Sequence, residues 1–227
     1  MLEALNMTML DIALAGVTIC LAVAAQSAVG FGSALFAAPV LVLIGIPLPN
    51  VIAMVATCSM LQATVGAYKL RKSIPWSIGF RAVGVMLIGF ACGLLALTKL
   101  TELGPKVIRA AMGGLLCALV GLQALWKTKP APRVHWGWGG LAFLSSGFLA
   151  GTCGMSGPPL VLWTMAHDWD ARKTRGFLFA FFAMANPILI LVLGFKYGPS
   201  VVWSVLLSMA YLPLVYLGSA IGLPIGD

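Results

Sequence analysis

The chain has 227 residues, of which 61% are hydrophobic and only 9% are charged. Soluble globular domains carry about 25% charged residues, so this composition excludes an ordinary soluble protein and predicts one polytopic transmembrane domain over residues 1–227. The net charge of +8 does not indicate a nucleic-acid partner, because the basic residues lie in short loops between apolar segments, as is typical of membrane proteins.

The first half of the sequence contains a broken apolar hairpin. Its first arm covers residues 9–27 and leads to a glycine break at Gly30 and Gly32. Its second arm, residues 33–46, rises only about 21 Å, which is less than the ~30 Å hydrocarbon core of a bilayer. Two full spans are predicted next, at 51–68 and 77–98.

A connecting apolar segment at 106–126 separates this pattern from a second copy of it. The copy has an arm at 136–152, a break within the stretch 151–160 that is rich in glycine and hydroxyl residues, and a very short arm at 158–166. Two further spans are predicted, at 177–195 and 201–222. A non-helical break at membrane depth must be packed in protein or line a wet cavity, so each break is a candidate site.

The two copies keep one register, with an offset of 124 residues (154 − 30 = 124). Three pairs share this offset: Gly30 and Gly154, Gln62 and Asn186, and Pro75 and Pro199. Matching breaks, amides and prolines indicate an internal duplication, with repeats at 9–98 and 134–222.

The number of segments between the copies predicts their relative orientation. Each repeat crosses the membrane an even number of times, so the single connector at 106–126 inverts the second copy. The predicted fold is an all-α polytopic membrane protein of about seven to nine membrane segments. Its two inverted repeats each contain a broken-helix hairpin and two spanning helices. Such repeats are typical of secondary transporters.

Loop charges predict the sidedness of the chain. One side carries most of the basic residues: Lys69, Arg71, Lys72, Arg81, Lys127, Lys129, Arg133, Arg172, Lys173 and Arg175. The other side carries only Lys99, Lys106, Arg109 and Lys196. By the positive-inside rule, the N-terminus lies outside and the C-terminus lies in the cytoplasm, as expected for a multi-pass protein of the cell (inner) membrane.

The breaks predict an anion site. A new helix starts at Ser33 and another at Ser156-Gly157-Pro158, and a helix start offers free N–H groups and a positive dipole end. Inverted copies bring the two starts together near the bilayer midplane. The candidate substrate-binding residues are Gln26, Gly30, Gly32, Ser33, Gln62, Gly154, Ser156, Gly157, Pro158 and Asn186.

Structural readings of the same residues stay open at this point. Small residues in membrane helices often serve only close packing, and Gln62 and Asn186 fit interhelical hydrogen bonds equally well. The six acidic residues lie at segment ends or in loops, and the five cysteines form no CxxC pair. The sequence therefore predicts no enzyme, no metal site and no cofactor.

The duplicated break followed by a short apolar arm resembles the TauE/SafE sulfite exporter family, also called the toluene-sulfonate uptake permeases. The resemblance rests on Gly30-Phe31-Gly32-Ser33, with Pro39 further on, and on Gly154-Met155-Ser156-Gly157-Pro158. It implies movement of sulfite, sulfonates and other sulfur-containing anions across the bacterial inner membrane. Family copies tend to be richer in glycine, whereas this chain has Ser33, Ala34 and Ser156 in its breaks.

The leading hypothesis is a secondary transporter of small sulfur-containing anions such as sulfite or organosulfonates. Two alternatives remain: an anion channel, and a non-transporting membrane assembly or partner protein. The expected partners are a small anionic substrate and the lipid bilayer, and a homodimer also stays open. Substrate identity, direction of transport and coupling ion are not predicted.

Overall fold

A computed structural model of the protein describes residues 8–125 and 135–225, which fold into ten helices without a strand. The helices are α1 (Met9–Val29), α2 (Ser33–Ile44), α3 (Leu48–Lys69), α4 (Trp76–Glu102), α5 (Pro105–Leu125), α6 (Trp136–Cys153), α7 (Gly157–Met165), α8 (Ala171–Tyr197), α9 (Pro199–Ala210) and α10 (Leu212–Ile225). The all-helical prediction is confirmed for these residues. The last residue of the predicted connector, Trp126, lies outside them.

Local capping explains where two of the long helices begin. Helix α1 starts with a capping box, in which the Asp11 N–H donates to Thr8 Oγ1 at 3.2 Å and the Thr8 N–H donates to Asp11 Oδ2 at 2.9 Å. Helix α8 starts after Asp170, whose Oδ1 accepts from the Lys173 N–H at 2.8 Å. These side chains satisfy first-turn donors that have no partner within the helix. As a result α8 begins six residues before its predicted start at Phe177.

The helix boundaries follow the offset found in the sequence. Helix α2 starts at Ser33 and α7 at Gly157 (157 − 33 = 124), while α1 ends at Val29 and α6 at Cys153 (153 − 29 = 124). Helices α3 and α8 start 123 residues apart (171 − 48 = 123). The two halves therefore repeat the same order of helices. That one copy is inverted relative to the other stays a prediction.

Four described helices, α1, α3, α4 and α8, are long and apolar enough to cross a membrane, and the bent pair α9 and α10 makes a fifth if it counts as one span. Helix α2 has 12 residues and α7 has nine, so they rise about 18 Å and about 14 Å and are too short to cross the hydrocarbon core. The predicted total of seven to nine segments stays a prediction.

The last predicted span, 201–222, is not one straight helix. Helices α9 and α10 meet at Tyr211 with a bend of 56°. Pro213 explains the bend, because it has no N–H to continue the helical ladder and its ring clashes with the carbonyl group four residues earlier. The sequence pattern did not predict this bend, and whether the pair crosses the membrane as one span stays a prediction.

Helices α3 and α8 form the centre of the molecule and pack along each other. About 72% of the apolar window of α3 and 61% of that of α8 are buried, against 39% for α4. The two helices approach closely at Gly66, where an added Cβ would lie 2.5 Å from Phe179 Cδ2. The helices that correspond by the repeat offset therefore form the core.

Two outer helix pairs are joined by glycines that let backbones touch. Along the crossing of α4 and α6, Gly89 and Gly93 lie against the backbone of Leu144 and Phe148. From the other side, a Cβ at Gly151 would lie 2.7 Å from the Phe90 carbonyl oxygen. Gly218 of α10 lies equally close to α1, since its Cβ would be 2.6 Å from the Cys20 carbonyl oxygen. Such contacts are the usual way to hold membrane helices together.

Candidate functional site

The first break separates α1 from α2 and depends on glycine. Gly30 ends α1 with φ of 95°, and its N–H donates to the Gln26 carbonyl at 2.6 Å. Gly32 precedes α2 with φ of 107°. Residues that carry a Cβ rarely adopt this left-handed backbone conformation. The two glycines therefore let the chain leave one helix and start another within three residues.

The second break separates α6 from α7 in a similar way. Gly154 ends α6 with φ of 74°, and Ser156 precedes the first residue of α7. The turn is held from within its own hairpin, because Ser146 Oγ donates to the Ser156 carbonyl at 2.6 Å. Pro158 stands in the first turn of α7, where its missing N–H leaves no gap in the hydrogen-bond ladder.

The two breaks touch each other. A Cβ added at Gly157 would lie 3.1 Å from Cδ2 of Phe31, which belongs to the first break. An added Cβ at position 157 would therefore require the Phe31 ring to shift by a few tenths of an ångström. The sequence pattern did not identify Phe31 as a residue of this contact, since an aromatic side chain in an apolar segment carries no signal of its partner.

Both helix starts line one small cavity of about 30 Å³, which is room for one or two water molecules. Seven of the ten predicted site residues line it: Gln26, Gly32, Ser33, Gly154, Ser156, Gly157 and Asn186. Helix α3 adds Ser59 together with Ile52, Val55 and Ala56, and Phe182 and Leu189 of α8 complete the apolar wall. The predicted meeting of the two breaks is therefore present.

The polar side chains of the cavity keep unused hydrogen-bonding atoms. Gln26 is 1% exposed and donates from Nε2 to Ser59 Oγ at 2.9 Å, while its Oε1 has no partner among the described residues. Asn186 is 7% exposed, and its Nδ2 has no partner in the same part of the chain. Buried polar atoms without partners are rare in folded proteins, so these two point to a polar guest in the cavity.

The field in the cavity comes from the backbone. Among the described residues that line it there is no Asp, Glu, Lys or Arg. Neither N-cap residue, Gly32 of α2 nor Ser156 of α7, makes a side-chain capping hydrogen bond. In α2 the first-turn N–H groups keep their donors, whereas the first three residues of α7 offer only the Gly157 N–H, because Pro158 and Pro159 have none. The N-terminal ends of both helices meet at one cavity. This arrangement favours an anion.

Three predicted site residues do not line the cavity. Gly30 packs against α8, where an added Cβ would lie 3.3 Å from Arg175 Cγ. Pro158 lines a separate apolar groove between α5, α6 and α7. Gln62 lines a groove between α3 and α10, although Ser59, one turn earlier on the same helix, faces the cavity. The spacing of residues along a helix indicated which turn they occupy but not which neighbour they face.

Arg175 is a buried residue that the sequence pattern placed only among the loop charges. It is 5% exposed and donates from one guanidinium nitrogen to the Ser27 carbonyl at 2.9 Å. Ser27 lies in the last turn of α1, where carbonyl groups lack helical partners and a cation is favourable. Arg175 thus ties the first break to α8. The N-cap at Asp170, five residues earlier, was the available signal that Arg175 lies inside a helix.

The family model described as "Sulfite exporter TauE/SafE" matches residues 14–227, nearly the whole chain. The chain belongs to the TauE/SafE sulfite exporter family. Comparisons with curated proteins and with solved structures found no match. Membership in the TauE/SafE family, together with the long apolar helices, makes the chain a multi-pass membrane protein of the transport class. The family consists of transporters of sulfur-containing anions such as sulfite, not of enzymes.

Proposed function

We propose that this chain is a secondary transporter that carries a small sulfur-containing anion, such as sulfite or an organosulfonate, across the bacterial inner membrane. In this proposal the anion binds near the bilayer midplane, between the N-termini of α2 and α7. The observation that carries the proposal is that the starts of both short helices line one cavity. The distribution of basic loop residues supports an orientation with the N-terminus outside and the C-terminus in the cytoplasm.

The strength of the proposed site suits transport. Each partly buried helix end contributes at most about 2 kcal/mol to anion binding, and each charge-assisted hydrogen bond contributes about 1.5 to 3 kcal/mol. After the cost of desolvating the anion is subtracted, the remainder corresponds to micromolar to millimolar dissociation constants. Binding of this strength allows the anion both to load and to leave.

The size of the cavity supports a transporter over an anion channel. At about 30 Å³ the cavity has room for water but not for a continuous pore, so an anion needs the surrounding helices to move apart. Rocking of one hairpin against the other, around a fixed site between broken helices, is the movement expected of repeat-built transporters. A channel would instead conduct through an open path.

The test is counterflow of radiolabelled sulfite in proteoliposomes that contain the purified full chain. We expect saturable uptake that is stimulated by unlabelled sulfite or a small sulfonate inside the vesicles. Saturable exchange excludes a simple channel, whereas conductance without counterflow would replace the transporter by a channel. A folded protein with no flux for any such anion would favour the non-transporting alternative.

Variants at the two helix starts test the location of the site. Ser33→Leu and Ser156→Leu each put a bulky apolar side chain into the cavity, so we expect flux to fall to background. The matched control is Ser145→Leu on α6, because the Ser145 hydroxyl donates to the Leu141 carbonyl at 2.7 Å, outside the cavity. Full flux in both cavity variants, with unchanged folding by thermal unfolding, would contradict the proposed site.

A further inference from the structure

Helices α1 and α10 pack along each other as one unit. An added Cβ at Gly222 would overlap the Ala24 carbonyl oxygen, and the approach is nearly as close one turn earlier, at Gly218. The Tyr211 hydroxyl, directly before α10, donates to the Ile12 carbonyl at 2.8 Å. Helices whose backbones touch in this way are held firmly against each other, so α1 and α10 are expected to move together.

The seam between this helix pair and α3 is packed less tightly. A groove of about 350 Å³ lies between α3 and α10, with apolar walls that include Val65 and Val215 and with Lys69 at one end. In contrast, α3 lies directly against α8 at Gly66, where an added Cβ would be 2.5 Å from the Phe179 ring. Close-packed interfaces resist movement. The seam is therefore the place where α3 can part from its neighbours.

Two polar side chains are buried along the seam. Gln62 of α3 is 1% exposed and neither of its amide atoms has a partner among the described residues, and Ser27 of α1 is 0% exposed with no partner for its Oγ in the same part of the chain. Both lie beside one turn of α10: Ser27 against Gly222, and Gln62 near Ser219 in the lining of the groove. Buried polar atoms without partners are rare. Because these atoms are closed off in this conformation, a guest reaches them only when the seam opens.

Ser27 and Gln62 continue the polar lining of the cavity between the two breaks. Gln26 of α1 donates to Ser59 of α3 at 2.9 Å, and both side chains line that cavity. Ser27 is the next residue of α1, and Gln62 lies about 4.5 Å further along the axis of α3. Both steps lead away from the cavity and towards the end of α3 that carries Lys69.

The chemistry at this step suits an anion. The Ser27 hydroxyl and the Gln62 amide nitrogen are neutral donors, and the Arg175 guanidinium donates to the Ser27 carbonyl at 2.9 Å. Phe179, one turn after Arg175 on α8, contacts Gly66 of α3, so the same ends of α1 and α3 lie close to this positive charge. Donors beside a guanidinium group attract an anion and repel a cation.

We propose that Ser27 and Gln62 form a second, transient site for the transported anion. The anion passes along the seam between α3 and the α1–α10 pair, on its way between the cavity and the end of the molecule that carries Lys69. This inference rests on the proposed function, because it gives the route of the same anion. The seam opens when α1 and α10 move away from α3 as a unit, in the manner of helix groups that rock around a fixed site.

The first test separates passage from binding. Counterflow of radiolabelled sulfite into proteoliposomes gives the maximal rate, and substrate protection against thermal unfolding gives the affinity of the cavity. In Gln62→Leu we expect the rate to fall about 10-fold and the affinity to change less than about twofold. The Tm without substrate should stay unchanged or rise, because an unpaired buried amide is removed.

Three further variants accompany this test. Ser27→Ala, which keeps the Cβ beside α10, should lower the rate about threefold. Gln62→Asn keeps the amide and should recover at least about half of the rate lost in Gln62→Leu. The matched control is Thr64→Leu on the same helix, where the exposed hydroxyl donates to the Met60 carbonyl at 2.8 Å. It should exchange sulfite at the full rate.

The second test does not depend on sulfite transport. Gln62→Cys in proteoliposomes is treated with a small methanethiosulfonate reagent that carries a sulfonate group, and labelled positions are identified by mass spectrometry. We expect the new thiol to be labelled and the native Cys58 to stay unlabelled. Cys58 is the internal control, because it is 2% exposed on the same helix but lies against α9, with its Sγ 4.0 Å from the Ser208 carbonyl.

The outcomes distinguish the route from the proposed function. Equal exchange by Gln62→Leu and the unmodified chain overturns the route and leaves the transporter in place. A thiol at position 62 that is labelled no faster than Cys58 also overturns the route, and so does a loss of rate in Gln62→Leu that is matched by a loss of Tm. Absence of exchange by the unmodified chain overturns the proposed function and the route with it.

Discussion

Gln62 and Asn186 occupy corresponding positions on the two central helices, yet they face different spaces. They are 124 residues apart (186 − 62 = 124), on α3 and α8 respectively. Asn186 lines the cavity between the two breaks, whereas Gln62 lines the groove between α3 and α10. The comparison shows that a duplicated sequence can preserve the register of its helices while the same polar position acquires a different environment in each half.

The environments differ because the helices beside them differ. Pro213, at the junction of α9 and α10, corresponds to Gly89 in the middle of the unbroken α4 (213 − 89 = 124). In the first half the glycine lets the α6 backbone lie against α4. In the second half the proline bends the chain by 56°. The helix that follows, α10, forms one wall of the groove against α3.

The largest expected effect comes from filling the space at Gly89. Gly89→Ala places a methyl group against backbone atoms of Leu144, which cannot move aside as the end of a side chain can. We therefore expect a loss of about 3 kcal/mol in the free energy of unfolding. Thermal unfolding in detergent measures the change. The control is Gly84→Ala on the same helix, where an added Cβ has no neighbour within 4 Å. Equal Tm values for the two variants would show that the crossing of α4 and α6 is not tight.

The next effect compares the two amides directly. Asn186→Leu removes a donor from the cavity, and we expect the affinity for the transported anion to fall about 10- to 100-fold, the value of one charge-assisted hydrogen bond. Gln62→Leu should change the same affinity less than about twofold, because Gln62 lies outside the cavity. Substrate protection against thermal unfolding measures both affinities. Similar losses in the two variants would mean that the halves still share one binding role at this position.

The smallest of the three effects concerns how each break is held. The first break is tied to α8 by Arg175, whereas the second is held within its own hairpin by Ser146. Arg175→Ala should lower the stability by about 1.5 kcal/mol, because the Ser27 carbonyl loses a charged donor. The control is Arg172→Ala, an exposed position on the same helix. A matching loss at Arg172, measured by thermal unfolding, would contradict a special role for the buried guanidinium group.

The positions of both breaks could be predicted from the sequence. Glycines at 30, 32 and 154 interrupt apolar segments, and helices in hydrocarbon tolerate such interruptions only at packed or wet places. The offset of 124 then predicted that corresponding helices start at corresponding positions. Helices α2 and α7 begin at Ser33 and Gly157, as the offset requires. The meeting of the two breaks was predicted from the expected inversion of the second copy.

Other features depended on contacts that local patterns do not contain. Arg175 resembles any basic residue near a helix start, and only the position of Ser27, 148 residues away, shows that it is buried. The bend at Tyr211 was missed because average hydropathy stays high through Pro213. Gln62 was assigned to the central site as a polar side chain on a span near the breaks, but it faces α10 of the bent pair, whose counterpart α4 is unbroken.

Among the described residues that line the cavity there is no Asp, Glu, His, Lys or Arg, and peptide groups do not ionise in the range in which side chains titrate. The proposed binding site therefore presents the same charge in acid and in neutral solution. Any change of affinity with pH must then come from protonation of the anion itself. The anion, rather than the protein, would then determine how binding depends on pH.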